Sequence, residues 1–241
     1  MHWFSYGRVN TTAFGIGIAG GGTWTKPKPI MERISVPGRN GELVSFTGAY
    51  ENVEVTYRCG IPKGMATKYD DFASALLANP GYCRLEDTYH PGYYRMAVLS
   101  SIGAPAMGPM FKTGEFDVTF NCKPQMFLKT GEKMITFTNY SATSYSYTNP
   151  TLFTAKPLIR AYGYGSFTIG DTTVTISAAD SYTDLDCETE NAYKDTSATN
   201  RNSYITLSGD HFPRLQPGKT SITFYANSIT KLEIYPRWWQ L

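Results

Sequence analysis

One run of alternation constrains this chain more than any other feature: Val53, Val55, Tyr57 and Cys59 alternate with Glu54, Thr56 and Arg58. A period of two puts the first set on one side of an extended strand and the second on the other, so the segment reads as a sheet with one wet face. Cys59 then points to the core, where a thiol packs as a small hydrophobe. Further strand signals stand at 13–18, 32–36, 43–47, 82–87, 93–102 and 115–122. Residues 32–36 lead into Pro37-Gly38-Arg39-Asn40-Gly41-Glu42-Leu43, where Asn-Gly predicts a two-residue hairpin turn.

A single helix interrupts the strands. Thr67 is placed to cap it with Asp70 three residues on, Phe72, Ala73, Leu76 and Leu77 face inward, and Asn79-Pro80-Gly81 ends it. From about Gly131 the texture changes to Thr, Ser and Tyr, with strand signals near 133–138, 157–162, 166–169, 172–177, 203–207, 219–225 and 229–235. No helix is expected there, which suggests a jelly-roll sandwich. A chain of 241 residues exceeds the usual single domain, and two are expected, meeting between Pro124 and Tyr147.

Composition excludes several functions. The 18 Tyr, 13 Phe and 4 Trp against 17% charged residues suit sheets and protein interfaces. A formal charge of +2 without a basic run argues against direct nucleic-acid binding. No apolar stretch approaches the ~20 residues of a membrane-spanning helix. Cys59, Cys83, Cys122 and Cys187 form no C-x-x-C pair, and Met1-His-Trp-Phe-Ser opens no signal segment, so reduced thiols and folding in a cytoplasm are expected. The sequons at Asn10 and Asn139 are read as accidental.

The chemical motifs are weak. Gly15-Ile16-Gly17-Ile18-Ala19-Gly20 matches G-x-G-x-x-G, but Gly21, Gly22, Pro27 and Pro29 forbid the helix a dinucleotide site needs. It reads as a strand entering a glycine loop, or an arm ordered by a neighbour. His2, His90 and His211 lie in no metal-ligand spacing, and no G-x-S-x-G elbow appears. Asp184, Asp186, Glu188 and Glu190 would share one face of a strand and could collect Ca²⁺, although a solvated edge is the simpler reading. The Trp residues, at 3, 24, 238 and 239, leave only tyrosines to stack on a sugar.

Five segments stand in one order along nearly the whole chain: Ile34-Ser-Val-Pro-Gly-Arg-Asn-Gly-Glu, Tyr82-Cys-Arg-Leu-Glu-Asp-Thr-Tyr-His-Pro, Phe120-Asn-Cys-Lys-Pro-Gln, Asn149-Pro-Thr-Leu-Phe-Thr-Ala-Lys-Pro-Leu-Ile and Ile234-Tyr-Pro-Arg-Trp-Trp-Gln-Leu. Together they resemble the distal tail protein family of siphophages, bacteriophages with long, non-contractile tails. The resemblance implies a mainly β, two-domain chain. Residues 1–133 would form a β-sandwich or barrel-like domain with one helix near 67–79, assembling into a hexameric ring that continues the tail tube. Residues 134–241 would form a galectin-like jelly roll holding baseplate or receptor-binding components, and 229–241 would pack back on the first domain, as the last strand does in some relatives.

The implied partners are five further copies, the tail tube protein, a tail-tip hub protein and receptor-binding or baseplate proteins. The implied location is the virion tail tip, after synthesis in the host cytoplasm. No catalytic, metal-binding or cofactor residue is implied, nor membrane insertion, and the ring interface is not readable from the residues. Two other functions stay open: a virion carbohydrate-binding module for cell-wall polysaccharide, and a wall-degrading hydrolase, which would need a carboxylate pair or nucleophile in a cleft.

Overall fold

The computed structural model describes residues 1–19, 24–108, 112–177, 181–226 and 229–241. The fold is mainly β with one α-helix. It divides into two compact units, Met1–Met126 with Leu241, and Phe127–Gln240. No described helix is long and apolar enough to cross a membrane.

The first unit contains β1 (Phe4–Tyr6), β2 (Val9–Asn10), β3 (Gly17–Ala19), β4 (Pro29–Ser35), β5 (Glu42–Tyr50), β6 (Val53–Ile61), α1 (Met65–Leu77), β7 (Cys83–Asp87), β8 (Tyr93–Ile102), β9 (Ala106–Met107) and β10, which runs from Gly114 to Leu128. The main sheet has the order β2-β1-β7-β8-β10-β6-β3. His2, just before β1, also bridges Ile18 of β3, so the N-terminal strand joins both ends of the path and the sheet curls shut. The alternation in β6 is realised in full: Val53, Val55, Tyr57, Cys59 and Ile61 are buried. Antiparallel pairing of β6 with β10, from Val53↔Cys122 to Ile61↔Gly114, presents both inner faces to one core. Phe4 stacks on Tyr57 at 4.9 Å and meets Phe120 edge-on at 5.3 Å.

α1 covers this core through Met65, Phe72 and Leu76. It starts two residues before the expected Thr67 cap, from Gly64 in the left-handed region (φ 73°) with no side-chain cap. Leu77, expected inside, is 68% exposed, because about 100° of rotation past Leu76 carries it off the buried stripe. Of the strand expected at 13–18 only Gly17 and Ile18 form one, in β3, while Ala13 and Phe14 belong to a 3₁₀ turn, Thr11–Phe14, closed by Gly15 at φ 68°. Gly20 of the G-x-G-x-x-G run and the glycine loop after it lie outside the described residues, as do residues 109–111 between β9 and β10.

The second unit holds β11 (Ile135–Thr138), β12 (Ser144–Asn149), β13 (Leu158–Tyr162), β14 (Gly165–Ile169), β15 (Thr172–Ile176), β16 (Thr183–Asp186), β17 (Asn191–Lys194), β18 (Thr196–Asn200), β19 (Ile205–Leu207), β20 (Gly218–Phe224), β21 (Lys231–Tyr235) and β22 (Trp239–Gln240). Two antiparallel sheets, β11-β21-β13-β16-β17-β18 and β12-β20-β14-β15-β19, face each other. Ile159, Leu185, Leu232 and Ile234 from one interleave with Phe167, Ile169, Val174, Ile222 and Phe224 from the other in a single core. Ile229 and Trp238 bury in the same core, and Trp238 stacks on Tyr147 at 5.5 Å.

The seven strand signals of this half each find a strand, whereas β12, β16, β17 and β18 lie where none was expected. β12 overlaps the stretch expected to join the two domains. Its Tyr145 and Tyr147 pack against the core, while Ser144, Ser146 and Thr148 face out. Hydroxyls also cover the outer side of its neighbours: Thr168 bonds Thr173 at 2.8 Å and Ser166 bonds Thr175 at 2.8 Å.

Candidate assembly interface

Among the described residues β4 and β5 pair only with each other. Their register runs from Ser35↔Glu42 to Met31↔Phe46, and residues 36–41 connect them. Asn40 is not in the left-handed region that a two-residue Asn-Gly turn demands of it. The bend instead uses Gly38 and Gly41, at φ 78° and 82°, so the hairpin forms as expected but through a longer turn.

Every residue of β4 and all of β5 except Tyr50 is exposed. Cross-strand partners share a face, which places Met31, Val44 and Phe46 on one side and Ile34 and Leu43 on the other. Val44 is 57% exposed, Ile34 53% and Phe46 48%. A two-stranded hairpin is marginal in water by itself, and apolar side chains on both of its faces call for cover from both sides. Its outer edges offer unpaired N–H and C=O groups that suit strand addition. The sequence signal was the adjacent pair Leu43-Val44, which breaks the alternation of a strand with one wet face.

The residues singled out in the sequence do not converge on a reactive centre. The Asp184 carboxylate, 3% exposed, accepts from Arg160 Nε at 2.7 Å and Nη2 at 2.9 Å. Asp186 accepts from Arg237 Nη1 at 2.6 Å, and Glu190 lies 3.9 Å from Arg214. Asp184 and Asp186 are thus tied to separate arginines, and β16 ends before Glu188. For Asp184 and Asp186 that corrects the solvated-edge reading, because strand pairing drew Arg160 opposite Asp184 and buried the carboxylate, whereas Glu188 and Glu190 are exposed.

The histidines are likewise spread. His2 Nδ1 lies 3.0 Å from Thr88 Oγ1, His90 Nδ1 3.1 Å from Asp87 Oδ1, and His211 Nδ1 3.0 Å from the carbonyl oxygen of Phe212. Among the described residues no three His, Cys, Asp or Glu side chains converge as metal ligands. All four cysteines are free. Burial pushes the Cys59 and Cys122 thiols up to about 12 and Cys187 higher still, which suppresses the thiolate that reactivity requires. Asn139 of the second sequon already donates its side-chain amide to the carbonyls of Tyr225 and Ile229, both at 3.0 Å.

One open groove of about 560 Å³ crosses the first unit, walled by Met1, Ile18, Pro62 and Met107 over Gly17 and Gly60. Glu115 is the one carboxylate on its described walls, and it pairs with Arg58 at 2.5 Å. Among the described residues this groove pairs no nucleophile with a base.

No protein-family model and no curated protein sequence matches the chain. Eight solved chains do. One is SPP1 Dit (gp 19.1), a hub of the adsorption apparatus in phages infecting Gram-positive bacteria; it is 13% identical, with TM-score 0.69 over 97% of this chain and 98% of that one. Two others come from the phage p2 baseplate in its activated conformation. They are each 9% identical, with TM-scores of 0.54 for the Sr form and 0.55 for the Ca form, over 97% of this chain and 98% and 97% of theirs. At such identities the shared property is the fold: over nearly its whole length this chain folds as SPP1 Dit does, the two-part β architecture that the motif resemblance implied.

Proposed function

We propose that the protein is a structural component of a phage tail, a distal tail hub whose first unit assembles into a hexameric ring joining the tail tube to the tip. The observation that carries this reading is the β4–β5 hairpin, apolar on both faces and covered on neither. Its cover would be supplied by neighbouring copies. In a closed ring each subunit offers two different, complementary patches, and an arm reaching from one subunit to the next is such a heterologous contact. The Dit-like fold over 97% of the chain supports the same role. In this reading the second unit, from about residue 134, projects outward and holds baseplate, tail-tip or receptor-binding proteins, and the molecule turns over no substrate.

The test is the mass of the full chain in solution. Light scattering after size exclusion is expected to give about six times the 26.8 kDa subunit, with six-fold rings in negative-stain images. A Val44→Glu/Phe46→Glu variant is expected to run as a monomer with unchanged core melting. A wild-type chain that stays monomeric at tens of micromolar, alone and with tail-tube protein, would sink the reading.

A further inference from the structure

The hairpin is one half of a contact, and the open groove of about 560 Å³ on the first unit has the form of the other half. Its floor follows from register. Gly17 pairs with Gly60, Gly60 with Glu115 and Glu115 with Ala106, so one row across β3, β6, β10 and β9 turns Gly, Gly, Glu and Ala to the same face. Cys59 and Ile61, on either side of Gly60, are buried, which makes this the outer face. A Cβ added to Gly60 would meet nothing within 4 Å, so the trough above it is open. Met1, 77% exposed, lies over Gly17 at one side, and Met107, 56% exposed, follows Ala106 at the other. Two flexible thioether walls adapt readily to an apolar guest.

Charge matches the two patches in one direction. Arg33 pairs with Val44 and therefore shares the hairpin face of Met31, Val44 and Phe46. Glu42, opposite Ser35, lies on the same face one step nearer the bend. On the groove side, Glu115 and Asp117 are exposed on the outer face of β10 against the guanidinium of Arg58. Lys63 and Lys112, next in sequence to the groove residues Pro62 and Thr113, are exposed beyond the Ile61↔Gly114 pair, at the other end. The hairpin thus reads plus then minus toward its bend, and the groove minus then plus away from Arg58. The chain's own hairpin does not fill this groove. It joins the sheet at the Val53 end of β6, roughly 20–25 Å along the strand from Gly60, and both of its faces are exposed.

We propose that the groove receives the β4–β5 hairpin of a second copy of this chain, with Phe46 over Gly60, Arg33 beside Glu115 and Asp117, and Glu42 toward Lys63 and Lys112. This rests on the ring reading above and supplies the second of the two unlike patches that a closed ring needs. Phe46 is the aromatic anchor of the hairpin, 48% exposed, and such anchors carry interface energy when they fill a pocket. β9, which among the described residues pairs only with β10, leaves an edge for the incoming strand. Two hairpins packed on each other would instead make an isologous pair, which closes at two copies. A small polar ligand would need several converging polar groups, and this floor offers glycine, alanine and one carboxylate already bonded to Arg58.

The test is cross-linking of the full-length protein. Phe46→Cys and Gly60→Cys in one chain, oxidised with copper–phenanthroline after assembly, are expected to join copies in a ladder that ends at the covalent hexamer on a non-reducing gel. Cys59, Cys122 and Cys187 are buried, and the wild-type chain oxidised in parallel sets the background. Gly60→Leu is expected to raise the dissociation constant of the ring at least tenfold, and Gly60→Ala by less. Core melting is expected to be no lower in either, because Gly60 lies outside the left-handed region with space above it. Arg33→Glu is expected to weaken the ring and Asp117→Lys in the same chain to restore it. A ring that neither links positions 46 and 60 nor responds to Gly60→Leu overturns this proposal and leaves the ring reading intact. Dimers linked through Phe46→Cys alone overturn it in favour of hairpin-on-hairpin packing. A wild-type chain that stays monomeric overturns it together with the function proposed above.

Discussion

Among single residues, Trp238 has the largest consequence. Its indole is buried in the second core against Tyr147, and Gly131 packs so close that an added Cβ would come within 2.4 Å of the Trp238 backbone nitrogen. Trp238→Ala is expected to cost the second unit about 3–5 kcal/mol, read as a lower melting midpoint for that unit. Gly131→Ala is expected to lower the same midpoint, because the new methyl meets backbone that cannot move aside as a flexible side chain would. Asp184→Ala leaves the Arg160 guanidinium, only partly exposed, without its bidentate acceptor. A loss of about 2–4 kcal/mol is expected, recovered in part by the double change with Arg160→Met, because the unpaired charge is then removed as well. The sequence displayed the Asp184 carboxylate but not its arginine, since the pairing spans 24 residues of chain.

At the level of elements, β6 and β10 hold two buried thiols and the Tyr57 hydroxyl in one layer. Burial raises Cys59 and Cys122 to about 12, and burial with the Asp87 carboxylate raises Tyr57 well above its usual range. Each group is neutral in the folded state and ionises more easily when unfolded. Their contribution is therefore complete below the unfolded thiol value near about 8.5 and is lost as pH rises toward 12. At pH 10 the loss is expected to be about 1–2 kcal/mol per thiol, seen as a falling melting temperature that Cys59→Ala and Cys122→Ala each make shallower. A pH-independent melt from about pH 8 to about pH 11 would contradict this. Element prediction from the chain worked best where one rule governed. The period of two located β6 because its outer face is wet, and it missed β12 because Ser144, Ser146 and Thr148 on the outer side make the segment read as a polar connection. The helix start was misplaced because Gly64 replaced the expected hydroxyl cap.

For the whole molecule, assembly is the property that matters, and the hairpin is its exposed element. If neighbours cover both faces, hydrogen exchange in β4 and β5 is expected to be fast in a Val44→Glu/Phe46→Glu monomer and strongly slowed in the wild-type ring, while β6 and β10 exchange slowly in both. Equal protection of the hairpin in both forms would remove the reason for calling it an interface. The sequence by itself determined the β class, the lone helix, the division of texture near residue 130 and the motif order that resembles distal tail proteins, because these depend on local periodicity and on short motifs. Only the tertiary structure decided that Asp184 and Asp186 are paired with arginines and that the hairpin stands uncovered on both faces among the described residues. Those features depend on which strands pair and in what register, and pairing energy is shared between residues far apart in the chain, where no local pattern records it.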